Sequence, residues 1–131
     1  MHGQPKHDLV YISASGALAL CDEDDARILL ARCYSGYGAY RDNPDAEGKG
    51  GLGPIPRGVW KVGPPVQHPR LGPVSFHLTP VDVPNLQGRS AFLIHGDNKL
   101  GNFSASRGCI VAPRRARDTI AALGCTSLLV Q

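Results

Sequence analysis

The sequence predicts a mostly β domain with one short helix near its C-terminus. Three observations predict it. Short apolar runs, several of them alternating, are separated by Gly, Pro, Asn and Asp turns. Only one late stretch has helical spacing. The chain holds 16 Gly and 11 Pro in 131 residues, about a fifth of it, below the roughly one quarter that marks low-complexity disorder. Short apolar runs bounded by turn residues are the signature of strands.

The elements follow in chain order. Between Asp8 and Cys21 two apolar runs flank Ser15-Gly16, a hairpin signal with Gly supplying the turn. Arg27 to Tyr34, RILLARCY, is a third apolar run with β-like density, although so short a run also suits a turn of helix. Residues 35–56 read as a long loop dominated by Gly, Pro, Asn and Asp. Loops of that length inside a compact domain are often functional, so this one is expected to act as a lid or wall. Its Gly48-Lys49-Gly50-Gly51 lacks the order of a phosphate-binding loop.

Arg57 to Gly63 alternates, with Val59, Lys61 and Gly63 on one face and Trp60 and Val62 on the other. Val74 to Thr79 alternates too, which makes His77 a residue of one strand face. Ser90 to His95 is a dense strand ending at a histidine. Pro113 to Leu123 is the helix, with Pro113 suited to its first turn and Gly124 to its end. Ala116, Ile120 and Leu123 are its expected inner stripe, and Arg114, Arg115 and Arg117 its solvated face. Thr126 to Val130 is a last strand. With no repeat and no linker, residues 1–131 read as a single domain, long enough to close a hydrophobic core.

Composition narrows the function classes. Hydrophobic residues make up 42% and charged residues 19%, with a net charge of +3, as in ordinary globular chains. The basic residues form no long run and few aromatics interleave with them, which argues against a nucleic-acid partner. No stretch approaches the roughly 18 apolar residues of a membrane span. Met1 to Asp8 is polar, without the apolar region of a signal peptide. That start fits a cytosolic chain, one trimmed of its signal, or export by another route. Cys21, Cys33, Cys109 and Cys125 form no C-x-x-C pair, against a zinc ribbon or redox motif. Cys21, Cys33 and Cys125 lie in apolar runs and read as buried inert thiols. A zinc tetrahedron of His77, His95, Cys109 and Cys125 is opposed by their scattered spacing. No metal or other cofactor is called for.

The chemistry concentrates in Ile94 to Val111, IHGDNKLGNFSASRGCIV. A strand delivers His95, a polar loop follows, and Ser106-Arg107-Gly108-Cys109 leads toward the helix. A thiol nucleophile needs a base to take its proton, or a positive neighbour to stabilise the thiolate. His95 is the candidate base, and Cys109 follows it by 14 positions (109 − 95), enough for a loop to fold back. Arg107 and the helix N-terminus are candidate sources of positive potential. Gly108 permits a sharp turn, so the N–H groups of Gly108 and Cys109 are candidate oxyanion donors. The Gly96 carbonyl is expected to orient the imidazole, with Asp97 as its competitor. Ser106, Arg107, Asp97 and Tyr40 are the candidate substrate contacts. Tyr37 is a further cleft candidate.

His95-Gly96 followed by Ser106-x-Gly108-Cys109-Ile110 resembles the active-site motif H-G…S-x-G-C-[ILV] of the L,D-transpeptidase catalytic-domain family. Gly53-Pro54-Ile55-Pro56-Arg57-Gly58-Val59-Trp60-Lys61-Val62 is similar to that family's G-x-I-P-x-G-x-[YW]-x-[IV] segment. Tyr34-Ser35-Gly36 and His95-Gly96-Asp97-Asn98 look most like its compact subgroup of antibacterial type VI secretion effectors. Together these segments span about residues 34–120. The resemblance implies a β-sandwich or partly open barrel with one short helix after the catalytic Cys. It implies a Cys109 thioester with a peptidoglycan tetrapeptide stem, followed by cross-linking, D-amino-acid exchange or L,D-carboxypeptidase cleavage. It further implies export by a dedicated system, action in the periplasm of a target bacterium, and an immunity protein as partner. Two departures stand out: Arg107 where many members have His, and Val111 where many have Arg. Substrate carboxylate recognition is then expected from Arg107, Arg114 or Lys99. The competing readings are a catalytically idle peptidoglycan-binding or interaction module of the same fold, and a general cysteine peptidase.

Overall fold

A computed structural model describes residues 7–131; most of the polar start, residues 1–6, lies outside them. The strands are β1 (Leu9–Ile12), β2 (Ala17–Cys21), β3 (Arg27–Arg32), β4 (Tyr34–Ser35), β5 (Gly58–His68), β6 (Gly72–Asp82), β7 (Phe92–His95), β8 (Ile110–Val111) and β9 (Ser127–Val130). The helix α1 is Arg114–Leu123, and short 3-10 turns occupy Gly38–Tyr40 and Pro44–Ala46.

The strands form one mixed sheet in the order β3-β2-β1-β9-β5-β6-β7-β8-β4. The β1–β9 and β7–β8 pairs are parallel and the rest antiparallel. β3 and β4 lie at opposite edges of this order, yet only Cys33 separates them in the chain. The sheet therefore curls until its two ends approach at that residue. The mostly β expectation holds, as one curled sheet.

The inner face is continuous. Leu9, Tyr11, Trp60, Phe76, Ile94, Ile110, Ile120 and Leu128 belong to one buried cluster, and at about 25 cal/mol per Å² of apolar surface this burial drives the fold. Trp60 donates its indole N–H to Pro56 O at 3.1 Å and meets the Phe92 ring edge-on at 5.0 Å. The alternation read at residues 57–63 is correct, with Trp60 and Val62 buried and Lys61 exposed.

Four expectations shift. β7 begins at Phe92 rather than Ser90, because Ala91 sits at φ 64°, outside the extended region. The third apolar run is a strand that breaks at Cys33 into β3 and β4. On α1, Ala116 and Ile120 face inward, but Leu123, the last helical residue, is 62% exposed. Arg117, expected in solvent, is instead buried at 8% exposure, drawn in by the carbonyls of Ala112 (3.0 Å) and Pro73 (2.7 Å). The segment 35–56 is held by internal turns, and Tyr37 N–H bonds Leu52 O at 2.8 Å.

Candidate active site

The β7–β8 register sets the site. Ile94 pairs with Ile110 and His95 with Val111, and both isoleucines point into the core. Alternation turns His95 to the opposite face. Cys109 immediately precedes Ile110, just outside β8, two positions before the residue paired with His95.

His95 is 2% exposed. Its Nδ1 lies 2.7 Å from Gly96 O. A carbonyl only accepts, so Nδ1 carries the proton and Nε2 keeps the lone pair, the tautomer a general base requires. Asp97, the competitor, is committed elsewhere: its carboxylate accepts from Tyr34 Oη and from Asn98 N–H, each at 2.8 Å. Burial, ahead of every other cause, pulls the His95 pKa below its usual value; Arg117 and His68 add to this, while Gly96 O and Asp97 oppose it. The imidazole is therefore neutral at pH 7.

Cys109 is half-buried, and its thiol donates to Ala91 O at 3.8 Å. Among the described residues no hydrogen bond joins it to His95. Burial pushes the thiol pKa up, with a smaller opposing effect from the Leu93 N–H and the Arg89 charge. That direction runs against the expectation of an acidic thiol, because desolvation outweighs the nearby positive charge.

The loop carrying Cys109 is clamped by two serines. Ser106, fully buried, donates from Oγ to Cys109 O at 2.6 Å. The same oxygen accepts from Gly36 N–H at 2.9 Å and Gly108 N–H at 3.2 Å. Ser35 Oγ donates to Gly108 O at 3.1 Å and accepts from Ile55 N–H at 2.8 Å. Ser106 is therefore a clamp rather than the expected substrate contact. Gly108 N–H is committed to it, which removes one of the two expected oxyanion donors. Gly108 has to be glycine, since it sits at φ 133° and a Cβ there would fall 2.5 Å from Arg89 Nη2 and 3.0 Å from the Phe92 ring.

Arg89 went unread in the sequence. Its Nη1 donates to Glu47 O and to Pro54 O (2.9 Å), and its Nη2 to Gly53 O (2.9 Å) and Arg107 O (3.4 Å). One guanidinium thus ties residues 47–54 to the Cys109 loop and places a charge near the thiol. The available signal was a lone cation just upstream of a strand end, which has no motif.

A cavity of about 540 Å³ opens at Cys109, lined among others by Gly50, Gly51, Arg89, Arg107 and Gly108. Gly50 and Gly51 make the 35–56 segment a wall. Arg107 lies 4.4 Å from the Tyr37 ring centre and borders the cavity as expected. Tyr40 is not among its lining residues, nor is Lys99; the Tyr40 ring lies 6.0 Å from Lys49 Nζ. His95 does not border it either. The N-terminus of α1 faces a different cavity, lined by Pro113, Arg114 and Arg117, because Ile110–Val111 carry the chain past Cys109 before the helix starts. His77 is exposed, its ring 6.3 Å from that of His68.

Fold and site together define a small β domain with a half-buried cysteine just before β8 and a buried histidine at the end of the neighbouring strand β7. The Tlde1 domain model matches residues 30–125, and the chain belongs to that family of type VI secretion effectors. The comparison with curated proteins found no match. No helix among the described residues is long and apolar enough to cross a membrane.

Proposed function

We propose that the chain is a cysteine acyltransferase or peptidase acting on peptidoglycan tetrapeptide stems, with Cys109 as nucleophile and His95 as general base. In this reading it is an antibacterial toxin that works in the periplasm of a target bacterium and is countered by an immunity protein. The observation that carries the proposal is the β7–β8 register, which brings the Cys109 segment alongside the strand of His95, with the imidazole tautomer fixed by Gly96 O at 2.7 Å. The effector family and the motif resemblance support it.

The steps follow from the resting state. With burial holding the Cys109 pKa up and the His95 pKa down, the proton leaves Cys109 as sulfur attacks, passing to His95 Nε2. The developing oxyanion accepts from Cys109 N–H, with Arg89 supplying positive potential. The imidazolium then protonates the departing D-alanine amine, leaving a thioester on Cys109. An amine, a D-amino acid or water attacks the thioester and regenerates the thiol. Arg107, exposed on the cavity rim, is suited to the substrate carboxylate.

The test is incubation with tetrapeptide muropeptides, with and without a D-amino acid acceptor, read by mass. Loss or exchange of the terminal D-alanine by the natural chain, and not by Cys109→Ala, supports the proposal. The competing reading is an idle wall-binding module. The thiol's bond to Ala91 O and its raised pKa are what favour it. Unchanged muropeptides that nevertheless bind the protein would establish it.

A further inference from the structure

Two acceptors compete for the proton on His95 Nδ1, the Gly96 carbonyl and the Asp97 carboxylate. The carbonyl holds it, at 2.7 Å. An ionised acceptor makes the stronger hydrogen bond, so something keeps the carboxylate away.

That something lies on β4. Tyr34, 5% exposed, donates its hydroxyl proton to Asp97 Oδ1 at 2.8 Å. The other bond to that oxygen comes from Asn98 N–H, in the next residue of the chain, and it travels with Asp97. Tyr34 is 63 positions away and ties the carboxylate to the sheet. Burial pushes the Tyr34 pKa up to about 12, with the Ala105 N–H opposing and Asp97 adding to the rise. The phenol therefore keeps the proton it donates.

The same hydroxyl accepts from Ala105 N–H at 3.1 Å. Asp97 comes two positions after His95 (97 − 95), and Ala105 four positions before Cys109 (109 − 105). One oxygen thus joins the two limbs of the loop between base and nucleophile. Within that loop Phe103 stands at φ 62°, a region that bulky residues seldom occupy. Its ring meets that of Tyr34 edge-on at 5.2 Å, and the Arg41 guanidinium lies 3.9 Å from its centre. Ser35 and Gly36 extend the attachment toward Cys109 through Gly108 O and Ser106 Oγ.

We propose that Tyr34 is a positioning residue of this site: its hydroxyl holds the Asp97 carboxylate off the imidazole and closes the loop from His95 to Cys109. The inference rests on the proposed roles of those two residues and adds what orders them. Without the hydroxyl, Asp97 takes the Nδ1 proton from Gly96 O, and its charge then favours the imidazolium. The other charged groups acting on the ring are Arg117 from α1 and His68 from β5; Tyr34→Phe leaves both in place.

The experiment follows the His95 ring protons of the full chain by NMR across pH. Tyr34→Phe keeps the ring beside Phe103 and removes only the hydroxyl. In it the His95 pKa should rise by about one pH unit, as expected when a carboxylate comes within about 4–6 Å. Combining Tyr34→Phe with Asp97→Asn should abolish the rise, since the amide carries no charge. A role in packing alone would lower the Tm and leave the titration unmoved. A His95 pKa unchanged or lowered in Tyr34→Phe overturns the proposal, and so does a rise that persists with Asp97→Asn. Should Tyr34→Phe fail to fold, hydrogen exchange of the natural chain decides. An Ala105 amide exchanging about tenfold or more slowly than that of Asn102 in the same loop supports the anchor, and slowing short of that overturns it. None of these readouts needs turnover. Where muropeptides are turned over, kcat should fall in Tyr34→Phe with KM little changed, and an unchanged kcat overturns the proposal. A chain that shows the His95 shift but cleaves no stem sinks the proposed reaction and leaves the role of Tyr34 standing.

Discussion

Ser106→Ala removes one oxygen that serves three partners. Its Oγ donates to Cys109 O (2.6 Å) and accepts from Gly36 N–H (2.9 Å) and Gly108 N–H (3.2 Å), at a residue with no exposed surface. An unmet buried polar group costs about 1–3 kcal/mol. Three such groups set an upper range of about 3–9 kcal/mol, and local relaxation brings the expected loss to about 3–5 kcal/mol. A surface serine exchanged for alanine changes stability by about 0.5 kcal/mol or less. For a domain of this size the loss corresponds to a Tm decrease of roughly 10–20 °C. Trp60, the single tryptophan and fully buried, reports unfolding by its fluorescence in urea. A loss below about 0.5 kcal/mol would refute the clamp, and so would an unchanged rate of Cys109 alkylation in the folded variant.

Further expectations concern the same region. Alkylation of Cys109 by iodoacetamide should be slow at pH 7 and climb through an apparent pKa above the ordinary thiol range near 9, because burial outweighs Arg89; a flat rate between about pH 6 and 8 would indicate a thiolate–imidazolium pair instead. Arg89→Met should raise that apparent pKa further and cost about 2–4 kcal/mol through lost charged hydrogen bonds, whereas Arg89→Lys should restore part of the pKa and little of the stability, both read from alkylation profiles and urea midpoints. Stability should fall as pH rises above about 9. Burial holds Cys33 at about 12 and Cys125 at about 11 in the folded chain, so the unfolded chain releases these protons first. It should also fall as pH drops below about 6.5, since His95 binds its proton more weakly folded than unfolded. Urea midpoints across pH check both limbs, and a flat profile would contradict them.

The parts legible in the sequence were those set by local pattern. The Ser15-Gly16 hairpin, the alternation around Trp60, the helix bounded by Pro113 and Gly124, and the strand that ends at His95 all follow from spacing and turn chemistry. Long-range closure was not legible. Nothing local says that β3 and β4 lie at opposite sheet edges, or that Arg89 reaches four carbonyls from distant segments. Arg117 reads as a solvated residue because its polar partners, Ala112 O and Pro73 O, are backbone atoms with no sequence signature. Gly108 shows why motif reading misjudged the oxyanion donors. Its conformation was inferred correctly, but Ser106 Oγ, two residues back, occupies its N–H.

The most direct test is the intact mass of the protein after brief mixing with a tetrapeptide muropeptide and acid quenching. A covalent adduct equal to the stem minus D-alanine, mapped to Cys109 and absent from Cys109→Ala, is the predicted result. D-Alanine release with the adduct on another residue, or an unmodified chain beside cleaved stems, would contradict it.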